Sequence, residues 1–129
     1  MAQTDAMAIA EKLVNCMSSG NGEDYARLWN DDAVLWHNFD GLEMTKAQIV
    51  EGFNSFVSQF PVRRITQVQV REFPGGYLQE HQFEAETADG RGFSTPSCLI
   101  VTVENGRLRR VHEYVDPSPV FAALEGAGA

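Results

Sequence analysis

From residue 62 onward the chain is broken by turn signals at regular intervals, and this punctuation limits its fold more than any other feature. Pro74-Gly75-Gly76, Asp89-Gly90 and Asn105-Gly106 separate four runs, VRRITQVQVREF, YLQEHQFEAET, GFSTPSCLIVTVE and RLRRVHEYVD. Asp-Gly and Asn-Gly between alternating apolar and polar residues favour tight hairpins, because these residues tolerate the positive φ that such turns need. Runs joined this way pair with their sequence neighbours, so the second half predicts a four-stranded antiparallel meander.

The first half has a different period. Met7, Ala10, Leu13, Val14 and Met17 recur at helical spacing up to Gly20. GEDYARLWNDD predicts a shorter second helix with Tyr25, Leu28 and Trp29 on one stripe. A strand is expected over residues 33–38, then a turn through Asp40-Gly41. Thr45 opens a third helix whose Ile49, Phe53, Phe56, Val57 and Phe60 form an apolar stripe, and Pro61 stops it. Pro117 and Pro119 flank a short closing segment with Phe121 and Leu124, and EGAGA reads as a frayed tail. Helices gathered before a run of strands imply an α+β fold, with three N-terminal helices covering one face of a strongly curved, mostly antiparallel sheet. A bent sheet closed by helices encloses a hollow, and hollows bind ligands. The 129 residues fit a single domain, 1–129.

Composition narrows the partners. A net charge of -8 repels phosphates, so neither nucleic acid nor an anionic membrane is expected as a partner. The basic pairs Arg63-Arg64 and Arg109-Arg110 fall inside strand-like runs and read as solvated strand faces. No apolar run approaches the ~18 residues of a membrane span, and no leader pattern opens the chain. A cytoplasmic protein is expected. Cys16 and Cys98 have no CxxC spacing and read as small hydrophobes. His37, His81 and His112 come from separate strands with no metal-ligand spacing, so no metal is expected, and nothing implies a cofactor.

The order of elements, the segment LWNDDAVLWHNFDG and the strand GRLRRVHEYVD resemble the nuclear-transport-factor-2-like superfamily. Within it the likeness is greatest to the SnoaL-like polyketide cyclases and the ketosteroid-isomerase-like branch, over residues 9–120. The resemblance implies a cone-shaped α+β barrel around a small-molecule pocket. It does not fix the reaction, because this fold hosts isomerases, cyclases, dehydratases, epoxide hydrolases and non-catalytic proteins. Where the isomerases carry a first-strand aspartate base, counting from Asp31-Asp32 places His37. Their oxyanion-hole donors match Leu13 and roughly Leu99, which cannot donate, so the steroid isomerase mechanism is not expected. The cyclases' last-strand acid matches Asp116, with Tyr114 in place of their histidine.

The strand at 33–38 puts Leu35, His37 and Phe39 on one face and Val34, Trp36 and Asn38 on the other. Both faces are largely apolar, so the residues alone leave open whether His37 is a satisfied interior or interface histidine or a pocket group. The resemblance turns the His37 face to the cavity, where an imidazole suits a general base near neutral pH. Alternation in the third run from the C-terminus directs His81 inward with Tyr77, Phe83 and Ala85, as either a satisfied interior histidine or a polar group of the pocket. In the last strand the resemblance turns Glu113 inward between Val111 and Val115, beside an inward histidine. Pairing of Glu113 with Arg109 or Arg110 on a solvated face is the alternative. Asp116, before Pro117, fits either a rim acid or a cap for the closing turn.

These readings converge on an isomerase, cyclase or lyase acting by acid–base chemistry on a small apolar carbonyl compound. His37 takes the proton, and Glu113 or Asp116 orients it or returns a proton. Tyr25, Asn38 and His81 supply polar contacts. Trp36, Phe53, Phe56, Phe83 and Phe93 form the apolar wall, with Tyr114 beside them. The alternative is a non-catalytic ligand-binding or interaction module of the same fold. On both readings a homodimer is expected through the outer sheet face, where GFSTPSCLIVTVE is apolar on both sides from Cys98 onward.

Overall fold

Asn105 and Gly106 both adopt positive φ, 55° and 73°, and close the last hairpin as the sequence requires. The computed structural model, which describes residues 5–125, contains four helices and six strands. In chain order these are α1 (Asp5–Ser19), α2 (Gly22–Arg27), β1 (Trp29–His37), β2 (Glu43–Met44) and α3 (Lys46–Gln59). The meander follows as β3 (Val62–Phe73), β4 (Gly76–Glu86), β5 (Gly92–Glu104) and β6 (Arg107–Val115), and α4 (Ser118–Glu125) ends the described chain. All but the first residue of the EGAGA tail lies outside the described residues.

The strands form one curved, unclosed sheet in the order β2-β1-β6-β5-β4-β3. The four meander strands pair antiparallel, whereas β1 lies parallel to β6. This is the expected α+β cone. Alternation decides which side chains enter it: in β5, Phe93, Thr95, Ser97, Leu99 and Val101 are buried while Ser94, Pro96, Ile100 and Thr102 face outward.

Two elements differ from expectation. The second helix stops at Arg27, and Trp29 begins β1 instead of extending the helical stripe. The Leu28 carbonyl accepts from Leu108 N at 2.7 Å, and Trp29 pairs with Leu108, so pairing with β6 overrides the local helical pattern. The two-residue β2 pairs with β1 at Leu35 and Trp36, and too few residues form it to leave a periodic signal. The third helix starts as read: Thr45 and Gln48 form a reciprocal capping box.

Arg63 corrects the view of the Arg63-Arg64 pair as a solvated face. Its side chain is buried, and its guanidinium donates to the carbonyls of Met17, Ser18 and Phe60 at 2.8, 3.1 and 2.7 Å. It thereby ties the C-terminal ends of α1 and α3 to β3. Gly20 ends α1 at φ +75°, and a Cβ there would lie 2.5 Å from the Arg63 guanidinium. Arg109 and Arg110 are more open and pair with Asp32, Glu104 and Glu43. Cys16 is buried as expected, while Cys98 is half-buried on the outer sheet face.

Candidate active site

The inner face of the sheet is a grid set by register. One row runs Leu35, Val111, Val101, Tyr77 across β1, β6, β5 and β4, and the next runs His37, Glu113, Leu99, Gln79. A third row is Val115, Ser97, His81. Directly opposed residues on one face are side-chain neighbours, so the β1–β6 register alone brings His37 against Glu113. His37 Nε2 lies 2.7 Å from Glu113 Oε1, and the Ser97 hydroxyl donates to Glu113 Oε2 at 3.3 Å. The expected alternative partners of Glu113, Arg109 and Arg110, are engaged elsewhere.

Above this grid α1, α2 and α3 leave a cavity of about 350 Å³, a size suited to a small organic ligand. Tyr25, Phe53, Phe56 and Phe83 supply aromatic wall, with Tyr25 and Phe53 stacked at 3.9 Å. Leu13 and Leu99 also line it. Phe39 and Phe121, 44 % and 51 % exposed, face each other at the mouth.

His37, Glu113, Tyr25, Phe53, Phe56, His81 and Phe83 therefore meet at one cavity. The other sequence candidates do not reach it. Trp36 is one residue from His37 on a strand, so it faces the opposite side and packs on His112 and Tyr114 at 4.9 and 5.4 Å. Tyr114 lies outward by the same alternation. Asn38 sits past the end of β1, where its Oδ1 accepts from Val115 N at 3.0 Å. Phe93 belongs to a second apolar cluster with Phe60, behind Phe56 and Phe83. The Asp116 carboxylate is exposed and accepts from Ser118 N at 3.0 Å, which caps the approach to α4 and holds its pKa below the usual carboxylate range. Asn38, Tyr114 and Asp116 line an adjoining open groove that shares Phe39, His81, Val115 and Pro117 with the cavity.

Gln79 and Ser97 were absent from the sequence candidates. Both occupy inward positions of alternating strands, Gln79 between Tyr77 and His81 and Ser97 between Thr95 and Leu99. A polar residue in the apolar register was the signal available.

The cavity's electrostatics separate its titratable groups. Burial lowers the His37 pKa, but the hydrogen bond and charge of Glu113, with a smaller contribution from Asp40, outweigh it and leave the imidazole above its ordinary 6.5. Burial lowers His81, and the pull of Glu113 does not reverse it. Burial first, and then the Glu113 charge, raise the Tyr25 phenol, so it stays a donor. Because the folded-state value for His37 lies above the unfolded one, the pair's stabilisation is fully present below pH ~6.5. It is lost as pH rises through the raised value. Glu113→Gln removes the principal upward influence and leaves burial against the smaller pull of Asp40, so the His37 midpoint, followed by imidazole NMR, is expected to fall from above 6.5 to below it. A midpoint unmoved by the substitution would contradict this origin of the shift.

The sequence profile of the SnoaL-like domain matches residues 10–111. The chain belongs to the SnoaL-like domain family. Among solved structures of this fold, Streptomyces antibioticus IdmH, provisionally described as a polyketide cyclase, superposes with a TM-score of 0.79 at 16% identity, over 95% of this chain and 99% of that one. An M. tuberculosis LEH-like epoxide hydrolase gives 0.76 at 14% identity over 93% and 89%. A protein of ketosteroid-isomerase-like fold from Catenulispora acidiphila, solved with trimethylamine, gives 0.78 at 14% over 89% and 90%. No curated protein matches the chain by sequence. At such identities the likeness shows the shared fold alone. No helix among the described residues is long and apolar enough to cross a membrane.

Proposed function

We propose that this SnoaL-like cavity performs acid–base chemistry on a small, largely apolar carbonyl compound, of the isomerase, cyclase or lyase type. The observation that carries the reading is the 2.7 Å contact between His37 Nε2 and Glu113 Oε1, facing a cavity whose walls are otherwise mostly apolar. Both side chains are largely shielded, 15 % and 28 % exposed, so their interaction is little screened. A proton held on Nε2 by Glu113 leaves Nδ1 as the basic atom, and no hydrogen bond among the described residues engages it. Glu113 orients the ring and stabilises the imidazolium once the proton arrives. The aromatic walls exclude water and favour a flat ligand. No cofactor is needed for such a step.

The test requires no knowledge of the natural substrate. 2-Tetralone, an apolar bicyclic ketone with acidic α-hydrogens, is incubated with the protein in D2O and its exchange followed by NMR. Exchange faster than with the same concentration of free imidazole supports the proposal. A ketone that binds in the cavity without accelerated exchange would favour the alternative, a ligand-binding module of the same fold.

We also infer a homodimer through the outer sheet face. Ile100 and Tyr114 are 40 % and 42 % exposed there, beside Trp36 and Cys98. A sedimentation mass of one chain would exclude it.

A further inference from the structure

The cavity wall holds a second imidazole to which the proton-transfer step gives no task. His81 pairs with Ser97, whose hydroxyl reaches Glu113, so it sits one row along the grid from the His37–Glu113 pair. Its two ring nitrogens are not equivalent. Nδ1 lies 3.0 Å from the amide nitrogen of Gln79, which can only donate. Nδ1 is therefore the acceptor, and in the neutral ring the proton resides on Nε2. Gln79 is two residues away on the same face of β4 and is 1 % exposed, so the wall fixes its orientation. Its Oε1 is sealed without a partner among the described residues.

His81 Nε2 differs from that oxygen. It makes no hydrogen bond among the described residues, yet it is not among the sealed, unpartnered atoms, and His81 lines both the cavity and the adjoining groove. It has surface to offer a ligand. The low basicity that burial imposes keeps the ring neutral, so Nε2 remains a donor without bringing a second charge into the apolar site. Leu13 and Leu99, also in the wall, have no donor to contribute.

We infer that His81 Nε2–H is the hydrogen-bond donor for the ligand's carbonyl or enolate oxygen, and that Gln79 is the positioning residue that fixes its tautomer. The inference rests on the proton-transfer reading of the cavity and adds a demand on the substrate: an oxygen on the carbon next to the one that loses its proton. As His37 takes that proton, the C–H electron pair forms the C=C bond and the carbonyl π pair moves onto oxygen, where Nε2–H meets it. No oxidant or reductant enters the step.

Two measurements test this without turnover. Nitrogen-15 imidazole correlations at a pH where the ring is neutral are expected to show His81 as the Nε2–H tautomer. In Gln79→Glu the new carboxylate accepts from Nδ1, and the proton is expected to move there. A wild-type Nδ1–H tautomer, which a reversed Gln79 amide would impose, overturns the inference, as does a tautomer unmoved by Gln79→Glu. The second measurement compares 2-naphthol, a stable counterpart of an enol, with naphthalene by amide-shift titration. The preference for 2-naphthol is expected to fall about tenfold in His81→Phe, with naphthalene affinity kept. A preference retained in full overturns the donor role. Absence of accelerated α-proton exchange would instead overturn the catalytic reading and leave the tautomer and binding results standing.

Discussion

Replacing His37 by glutamine is expected to lower protein-catalysed exchange of 2-tetralone by a factor of about 10²–10⁴, with the unfolding midpoint shifted by only a few degrees. Glutamine can still donate an amide N–H toward Glu113, so the β1–β6 contact is retained. It has no atom basic enough to take a proton from carbon. The loss should appear in kcat, because the apolar walls that bind the ketone are untouched. A His37→Gln protein that keeps its rate would show that the base is elsewhere, with Glu113 the nearest candidate.

Arg63→Ala is expected to destabilise the fold by about 3 kcal/mol, seen as a fall of roughly 10 °C in the unfolding midpoint. Three carbonyls, of Met17, Ser18 and Phe60, lose charged donors at once. At 7 % exposure the site admits little water to replace them. Two of the carbonyls belong to the end of α1, where a positive charge also offsets the helix dipole. The neighbouring Arg64 is the control. Its contact with Glu84 is 3.7 Å long and half open to solvent, so Arg64→Ala should cost less than about 0.5 kcal/mol. Equal effects of the two substitutions would refute the assignment of Arg63 as a clamp. Since α1 and α3 roof the cavity, Arg63→Ala should also weaken 2-tetralone binding.

Much of the cone is legible in the sequence because its second half is local. Hairpins at Asp89-Gly90 and Asn105-Gly106 pair adjacent runs, and alternation then sorts each side chain inward or outward. Tyr77, His81 and Ala85 fall inside as their positions require. The difficulties lie at β1, whose partner β6 is distant in sequence. Both faces of VLWHNF are largely apolar, so only the parallel register with β6 decides that His37 faces in and Trp36 out. That one-residue distinction also removes Tyr114 from the wall, because Trp36 packs against it outside. The same non-local pairing takes Trp29 from the helical stripe. Arg63 is hidden for another reason: its acceptors are backbone carbonyls, which leave no mark in the residue pattern. Gln79 was readable but easily passed over, as a polar residue between Tyr77 and His81 in an otherwise apolar register.

The candidate site was legible to a similar depth. His37 and Glu113 can be nominated from the strand order and the resemblance, but the 2.7 Å contact depends on register that no local pattern encodes. Asp116 has the right chemistry for a rim acid, and its place immediately before Pro117 gives it a capping task at α4 instead.

The pH–rate profile of 2-tetralone exchange, taken for the wild type and for Glu113→Gln, tests the His37–Glu113 pair most directly. In the wild type the rate should rise with pH through a midpoint above 6.5, as His37 loses its proton. In Glu113→Gln that midpoint should fall below 6.5 and the plateau should drop, because the ring is less basic and no longer stabilised as the imidazolium. Identical profiles for the two proteins, or a wild type no better than free imidazole, would contradict the pair's role.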